Sequence, residues 1–285
     1  MYSVGEISSD LLEREREKEN IKIKHYGNSN KCYIFFSSNA IYYPNTREQF
    51  EETIIRNDRY EWENLASSES LVQNSGMHIF VRDVYKQWYV EGINTRINSI
   101  EKLLDYLKAL TEGYEVITVG NSAGGYMAVI AAGFLNALQC FNFAGQVSLE
   151  EFLERNFLLQ AAREDISKNK YFNIQNIYRD MKCDVYYFYA ALNKEDCKSY
   201  GQIENYKNVK GFGYKQTVHG VSMFADNMVP ILCKTEKEMD RLATIYKDKE
   251  ISRWEFLLRT TSFSRLIYVV WRYVIKVLKM GRGGL

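Results

Sequence analysis

The sequence predicts an α/β protein with a mostly parallel, doubly wound sheet and helices on both faces. Short apolar runs at residues 32–36, 77–81 and 116–119 are typical of strands that are buried on both faces. Apolar residues recur every three to four positions across residues 93–110, which indicates an amphipathic helix. With 285 residues, 46% apolar and 26% charged, the chain is long enough for one large domain of this kind.

Further strands are predicted at 140–144, 184–190 and 211–217, and an edge strand at 21–24. Residues 1–235 are expected to form the sheet domain, and 236–285 a basic, amphipathic helical extension. Within the domain, 148–180 is a candidate cap or lid. This segment opens with Ser148 and Glu151 in the spacing of a capping box.

Composition excludes several classes of function. A net charge of +1 gives no reason to expect a nucleic-acid partner. The five cysteines are scattered and form no C-x-x-C pair, so neither a metal site nor a redox motif is expected, and no cofactor is implied. Residues 1–10 lack the pattern of a secretory signal, which predicts a cytoplasmic protein with reduced thiols.

The most informative motif is Gly120-Asn121-Ser122-Ala123-Gly124. It lies between a predicted strand and a helix-like stretch, the context in which a G-x-S-x-G turn presents a nucleophilic serine. The turn is so sharp that a side chain at either glycine would clash. Ser122 is therefore the candidate nucleophile.

A serine hydroxyl needs a positioned base, and the chain has three histidines. Only His219 follows the carboxyl end of a predicted strand, where active groups of open α/β sheets gather; the alternative is a surface-loop histidine. Asp196 follows the strand that ends near residue 190 and is the candidate acid, with Glu195 as its rival. The alternative for Asp196 is a solvated carboxylate.

An oxyanion hole requires two N–H groups. One is expected from Ala123, and the other from Ser38 or Asn39 after the strand at 32–36. A second set of residues follows the strand at 77–81 and is expected to wall the substrate site, with plain packing as the alternative reading. These wall residues are Asp83, Trp88 and Tyr89.

The chain resembles divergent bacterial α/β-hydrolases of surface-polysaccharide and glycoprotein gene clusters, which include the accessory-secretion component that O-acetylates sugars on adhesins. The resemblance spans roughly residues 30–230. It rests on the motif at 120–126, Phe143-Ala144-Gly145-Gln146, the segment 82–89, and the Asp196 and His219 tail. Gly145-Gln146 departs from the Ser-Pro-Gln expected there. The resemblance implies the α/β-hydrolase fold, acyl-ester chemistry and a carbohydrate substrate.

The carboxyl-terminal segment has no acidic residue after Glu255. Arg265, Arg272, Lys276 and Lys279 fall within about 60° on a helical wheel, and the other faces are apolar and aromatic. Such a helix at 262–282 could lie on an anionic membrane at the inner face, or dock on the core or on a second copy of the chain. Both readings, and self-association, stay open.

The residues together predict a serine esterase or acyltransferase that acts on a small-molecule or glycan ester. Ser122 would attack the ester, His219 would carry the proton, and Asp196 would orient the histidine. The alternative is a catalytically inactive scaffold with this fold in a glycosylation or export complex.

Overall fold

A computed structural model describes residues 3–262, together with residues 266, 267, 269 and 271. Its seven strands are β1 (Ile21–His25), β2 (Lys31–Phe36), β3 (Met77–Val81), β4 (Glu115–Asn121), β5 (Gln139–Phe143), β6 (Asp184–Ala190) and β7 (Val209–Tyr214). They form one sheet in the order β1-β3-β2-β4-β5-β6-β7. The edge strand β1 pairs antiparallel with β3, and the other pairs are parallel. The predicted fold class is therefore confirmed.

The α-helices of the described residues are α1 (Ser9–Arg16), α2 (Arg47–Phe50), α3 (Glu63–Ala66), α4 (Glu69–Gln73), α5 (Ile100–Leu110), α6 (Ala123–Leu135), α7 (Phe157–Glu164), α8 (Ile166–Asn169), α9 (Gln175–Asp180), α10 (Lys194–Gly201), α11 (Ala225–Leu232), α12 (Glu236–Tyr246) and α13 (Arg253–Thr260). A π-helical segment, Glu51–Arg56, and a 3-10 helix, Glu150–Arg155, complete them.

Two of the predicted ends of helices and strands differ from the structure by three residues or more. The helix expected at 93–110 begins at Ile100, because the Ser99 side chain accepts the Lys102 N–H and caps the helix there. The last strand ends at Tyr214 rather than at residue 217, since the Gln216 N–H turns back onto the Tyr214 carbonyl at 2.7 Å. Neither difference moves the side chains proposed for the site.

Helices cover both faces of the sheet and bury a core on each. On one face, α5 and α6 pack against the apolar side chains of the central strands. On the other face, an aromatic core that includes Phe35, Phe143 and Phe188 is closed by α11, α12 and α13. Met239 and Phe256 are fully buried in this second core. The boundary expected at residue 235 therefore does not coincide with a break in the packing.

The candidate cap segment leaves and rejoins the sheet domain at adjacent points. Ser148 pairs with Asn173 in an antiparallel bridge, and Ile174 N–H donates to the Val147 carbonyl at 3.0 Å. Short helices lie between these points.

The basic amphipathic helix predicted at 262–282 lies largely outside the described residues. Within the described part, residues 236–260 form α12 and α13, whereas the basic stretch at 262–282 is described only at residues 262, 266, 267, 269 and 271. No helix among the described residues has the length and apolar character needed to cross a membrane.

Candidate active site

The turn between β4 and α6 holds Ser122 in a strained backbone conformation, with φ 53° and ψ −119°. A Cβ atom at Gly120 would lie 2.1 Å from the Gly124 carbonyl oxygen, and one at Gly124 would lie 2.2 Å from the Phe36 carbonyl oxygen. Only glycine fits at either position. Two glycines thus allow the chain to reverse direction and leave the Ser122 hydroxyl at the carboxyl end of the central strand.

The structure brings the three residues proposed for the triad together. His219 Nε2 lies 2.9 Å from Ser122 Oγ, and His219 Nδ1 lies 2.5 Å from Asp196 Oδ1. The three side chains follow β4, β7 and β6, strands whose carboxyl ends meet at one edge of the sheet. In this arrangement an imidazole can accept the serine proton while the carboxylate holds its other nitrogen.

Asp196 is only 1% exposed and is held by the chain around it. Its Oδ2 accepts the Ala190 N–H at 3.0 Å. It lies in the first turn of α10, and the side chain of Asn193 caps this helix. The Asn193 amide also donates to the Thr217 carbonyl at 3.0 Å, which ties the acid loop to the loop that carries His219. Glu195, the rival acid, is solvent-exposed.

The oxyanion side differs from its prediction. Ser38 lies beside the turn, but its backbone N–H donates to Glu61 Oε2 at 2.5 Å. The chain's own carboxylate therefore holds one predicted oxyanion donor. Burial raises the pKa of Glu61, and hydrogen bonds from Ser38 oppose this effect. Asn39 is half-buried.

Ala123 begins α6, where the first N–H groups of a helix have no partner within the helix. Its N–H therefore has no acceptor within the helix, and its role as an oxyanion donor stays a prediction. Glu61 was not foreseen: it lies 23 residues beyond Ser38, in a loop without a recognisable motif.

The residues expected to wall the substrate site lie in the interior. Asp83 is buried and accepts the N–H groups of Tyr85, Gln87 and Tyr89 at 2.8–3.0 Å, so it shapes its own loop. The buried hydroxyl of Tyr89 donates to the Ser37 carbonyl at 2.7 Å. It thereby supports the loop at residues 37–39, here called the oxyanion loop. This differs from the expectation that Asp83 and Tyr89 line the substrate site, because their polar groups form hydrogen bonds with the protein backbone.

Trp88 contacts Gln146, a residue that was not predicted to belong to the site. Its indole N–H donates to Gln146 Oε1 at 3.0 Å, and Gln146 Nε2 donates to Ser122 Oγ at 3.2 Å. In the sequence, Gln146 is visible only as part of the Gly145-Gln146 departure from the expected pattern. Its position directly after β5, the neighbour of β4, is the signal that could have found it.

No group of three or more histidine, cysteine, aspartate or glutamate side chains in the described part of the chain is arranged to hold a metal ion. His78, the histidine buried in β3, instead bonds to Ser75 Oγ at 2.7 Å, and burial lowers its pKa to about 4.

No protein-family model matches the chain, and no curated protein matches it in sequence. Among solved structures, the capsule O-acetyltransferase of Neisseria meningitidis serogroup A is similar, with a TM-score of 0.50 and 11% identity over 80% of this chain and 93% of that one. A mutant of that enzyme in complex with CoA gives the same values. The esterase Pf2001 of Pyrococcus furiosus has a TM-score of 0.41 and 13% identity, over 82% of this chain and 85% of that one.

The parallel sheet, the turn after its central strand and the similarity to the capsule enzyme over most of both chains agree with one another. This chain therefore has the α/β-hydrolase fold.

Proposed function

We propose that the protein is a serine enzyme of acyl esters, an esterase or O-acyltransferase. The observation that carries this proposal is the continuous hydrogen-bonded series from Ser122 Oγ through His219 to Asp196. Ser122 is partly exposed, so a substrate can reach it.

The reaction follows from these contacts. As Ser122 Oγ bonds to the carbonyl carbon, its proton passes to His219 Nε2 and the carbonyl π pair becomes an oxyanion. Collapse restores the carbonyl and breaks the bond to the leaving alcohol or thiol, which takes the proton from His219. Water or a sugar hydroxyl then gives its proton to His219, attacks the acyl-enzyme and releases Ser122. Asp196 stabilises the imidazolium in both halves.

Ala123 N–H is one donor to the oxyanion in this proposal. Ser38 N–H is the second, after the Glu61 carboxylate has released it. Because an oxyanion and the Glu61 carboxylate need the same N–H, the contact between Ser38 and Glu61 lowers the reactivity of the resting state.

We propose a carbohydrate ester, with acetyl as the first acyl group to test. The support is the similar capsule enzyme, which is an O-acetyltransferase, together with the resemblance in the sequence. Since one structure of that enzyme contains CoA, an acyl thioester should be tested as donor beside simple esters.

Labelling by a fluorophosphonate probe tests the activated serine without a known substrate. We expect labelling of the native protein and none of Ser122→Ala. Ser67→Ala, which changes an exposed serine that is not among the proposed site residues, is the matched control and should label like the native chain. An unlabelled, well-folded native protein would contradict the proposal.

One observation favours the second candidate, a catalytically inactive scaffold in a glycosylation or export complex. The contact between Glu61 and Ser38 occupies an N–H that the reaction needs. Absence of labelling in both the native protein and Glu61→Gln would support this reading.

We also propose that the carboxyl-terminal segment contacts an anionic membrane at the cytoplasmic face. The support is the basic sequence after Glu255 and a set of exposed apolar side chains spaced four residues apart in pairs: Trp254, Leu258, Ile267 and Trp271. Co-sedimentation with vesicles of anionic and neutral lipid tests it. Equal binding to both, or none, contradicts it.

A further inference from the structure

Gln146 makes the contact with Ser122 that the triad does not explain. Its side chain is 7% exposed, and its Nε2 donates to Ser122 Oγ at 3.2 Å. The orientation of this amide is fixed by chemistry, because the Trp88 indole N–H can only donate and therefore faces the Gln146 carbonyl oxygen. The NH₂ group is thus turned towards Ser122.

The loop that carries Gln146 is held on both sides. Gly145 N–H donates to Asn142 Oδ1 at 2.7 Å, and the Tyr187 hydroxyl donates to the Gly145 carbonyl at 2.7 Å. Trp88 packs on the ring of Phe152, with centroids 4.6 Å apart. The amide is therefore a pre-organised donor rather than a side chain free to turn away.

A serine oxygen has one hydrogen and two lone pairs. In the resting arrangement, the hydrogen is directed to His219 Nε2 and one lone pair accepts from Gln146. This leaves a single lone pair for attack. It also places a donor against the oxygen whenever that oxygen carries negative charge.

We propose that Gln146 is a catalytic residue that stabilises the alkoxide character of Ser122 Oγ, and that Trp88 is the positioning residue that sets its amide. This inference rests on the proposed function. Its effect is largest when the acyl-enzyme breaks down, because Oγ is then the leaving group and departs with the electron pair of the C–O bond while His219 returns its proton.

The test compares Gln146→Met, which keeps the length and removes the donor, with Trp88→Phe, which keeps a ring and removes the N–H. Tyr187→Phe is the control, since it removes a hydrogen bond to the same loop without touching the amide. Fluorophosphonate labelling rates, and the burst and steady-state rates with p-nitrophenyl acetate, are measured beside thermal unfolding.

We expect Gln146→Met to lower the labelling rate by about 10- to 100-fold, as for loss of a hydrogen bond to a charged group. Trp88→Phe should lower it by roughly 3- to 10-fold, because the amide can then flip. In both, the steady-state rate should fall more than the burst rate, so that acetylated protein accumulates. A purely structural role would lower both rates alike.

Labelling and turnover of folded Gln146→Met at native rates would overturn the inference and leave the proposed function intact. Equal losses in Gln146→Met and Tyr187→Phe would also overturn it, by assigning the effect to the loop. A native protein that does not label overturns the proposed function itself, so the two failures are distinct.

Discussion

The two sides of the candidate site are built differently. The serine side, Ser122 with His219 and Asp196, is assembled from residues directly after parallel strands or in the first turn beyond them, and its hydrogen bonds are already made. The oxyanion side, Ser37 and Ser38 with Glu61, depends on a loop residue whose carboxyl group occupies the N–H that the proposed reaction needs. The sheet positions one side, whereas a side-chain contact occupies the other.

The largest expected effect breaks the serine side. Asp196→Asn replaces a buried carboxylate that faces His219 Nδ1. It should lower the fluorophosphonate labelling rate by about 10³- to 10⁴-fold, because the amide no longer favours the required tautomer. Glu195→Gln, the exposed neighbour, is the control and should leave the rate unchanged. Similar rates for all three proteins would show that Asp196 is not the acid.

The next effect concerns the junction of the two sides, where Gly124 meets the Phe36 carbonyl. Gly124→Ala forces the oxyanion loop away from the turn and should cost about 1–3 kcal/mol of unfolding free energy, measured by urea denaturation. Gly201→Ala is the matched control: it lies in α10, with nothing within 4 Å of the added methyl, and should be neutral or stabilising. A native-like Gly124→Ala would contradict the close contact.

The smallest effect sharpens the oxyanion side. Glu61→Gln removes the ionisable acceptor of the Ser38 N–H and should raise the labelling rate by roughly 3- to 10-fold at a pH above the raised pKa of Glu61. Glu63→Gln, a nearby carboxylate paired with lysines, serves as the control. A rate below that of the native protein would make Glu61 a supporting residue instead.

The pH dependence carries a definite sign. Burial raises the pKa of Glu61, so its carboxylate forms as pH rises through that raised value. The ratio of the native labelling rate to that of Glu61→Gln should therefore fall with rising pH. The difference in unfolding free energy between the native protein and Glu61→Gln should change in the same direction. Because the folded state binds the Glu61 proton more tightly than the unfolded state does, the native protein loses stability relative to the variant as pH rises.

The sequence alone was enough to predict the sheet and to propose three residues that the structure brings within hydrogen-bond distance of one another. Strand periodicity identifies the strand ends, and parallel strands bring those ends to a common edge. Glu61 was beyond reach for a physical reason. It contacts Ser38 from a separate loop, and this contact leaves no pattern along the chain. For Gln146, only the position after β5 was visible in the sequence, and its contact with Ser122 was not. Asp83 was misjudged because a polar residue after a strand resembles a site residue even when it binds its own backbone.

The pairing of Ser148 with Asn173 has a consequence for how such proteins diversify. A segment that enters and leaves at one point behaves as an interchangeable module: recombination can lengthen, shorten or replace it while the sheet keeps its register. Phe152 lies inside this module and contacts Trp88. Under the roles proposed for Trp88 and Gln146, an exchange there would also change the intrinsic reactivity of Ser122.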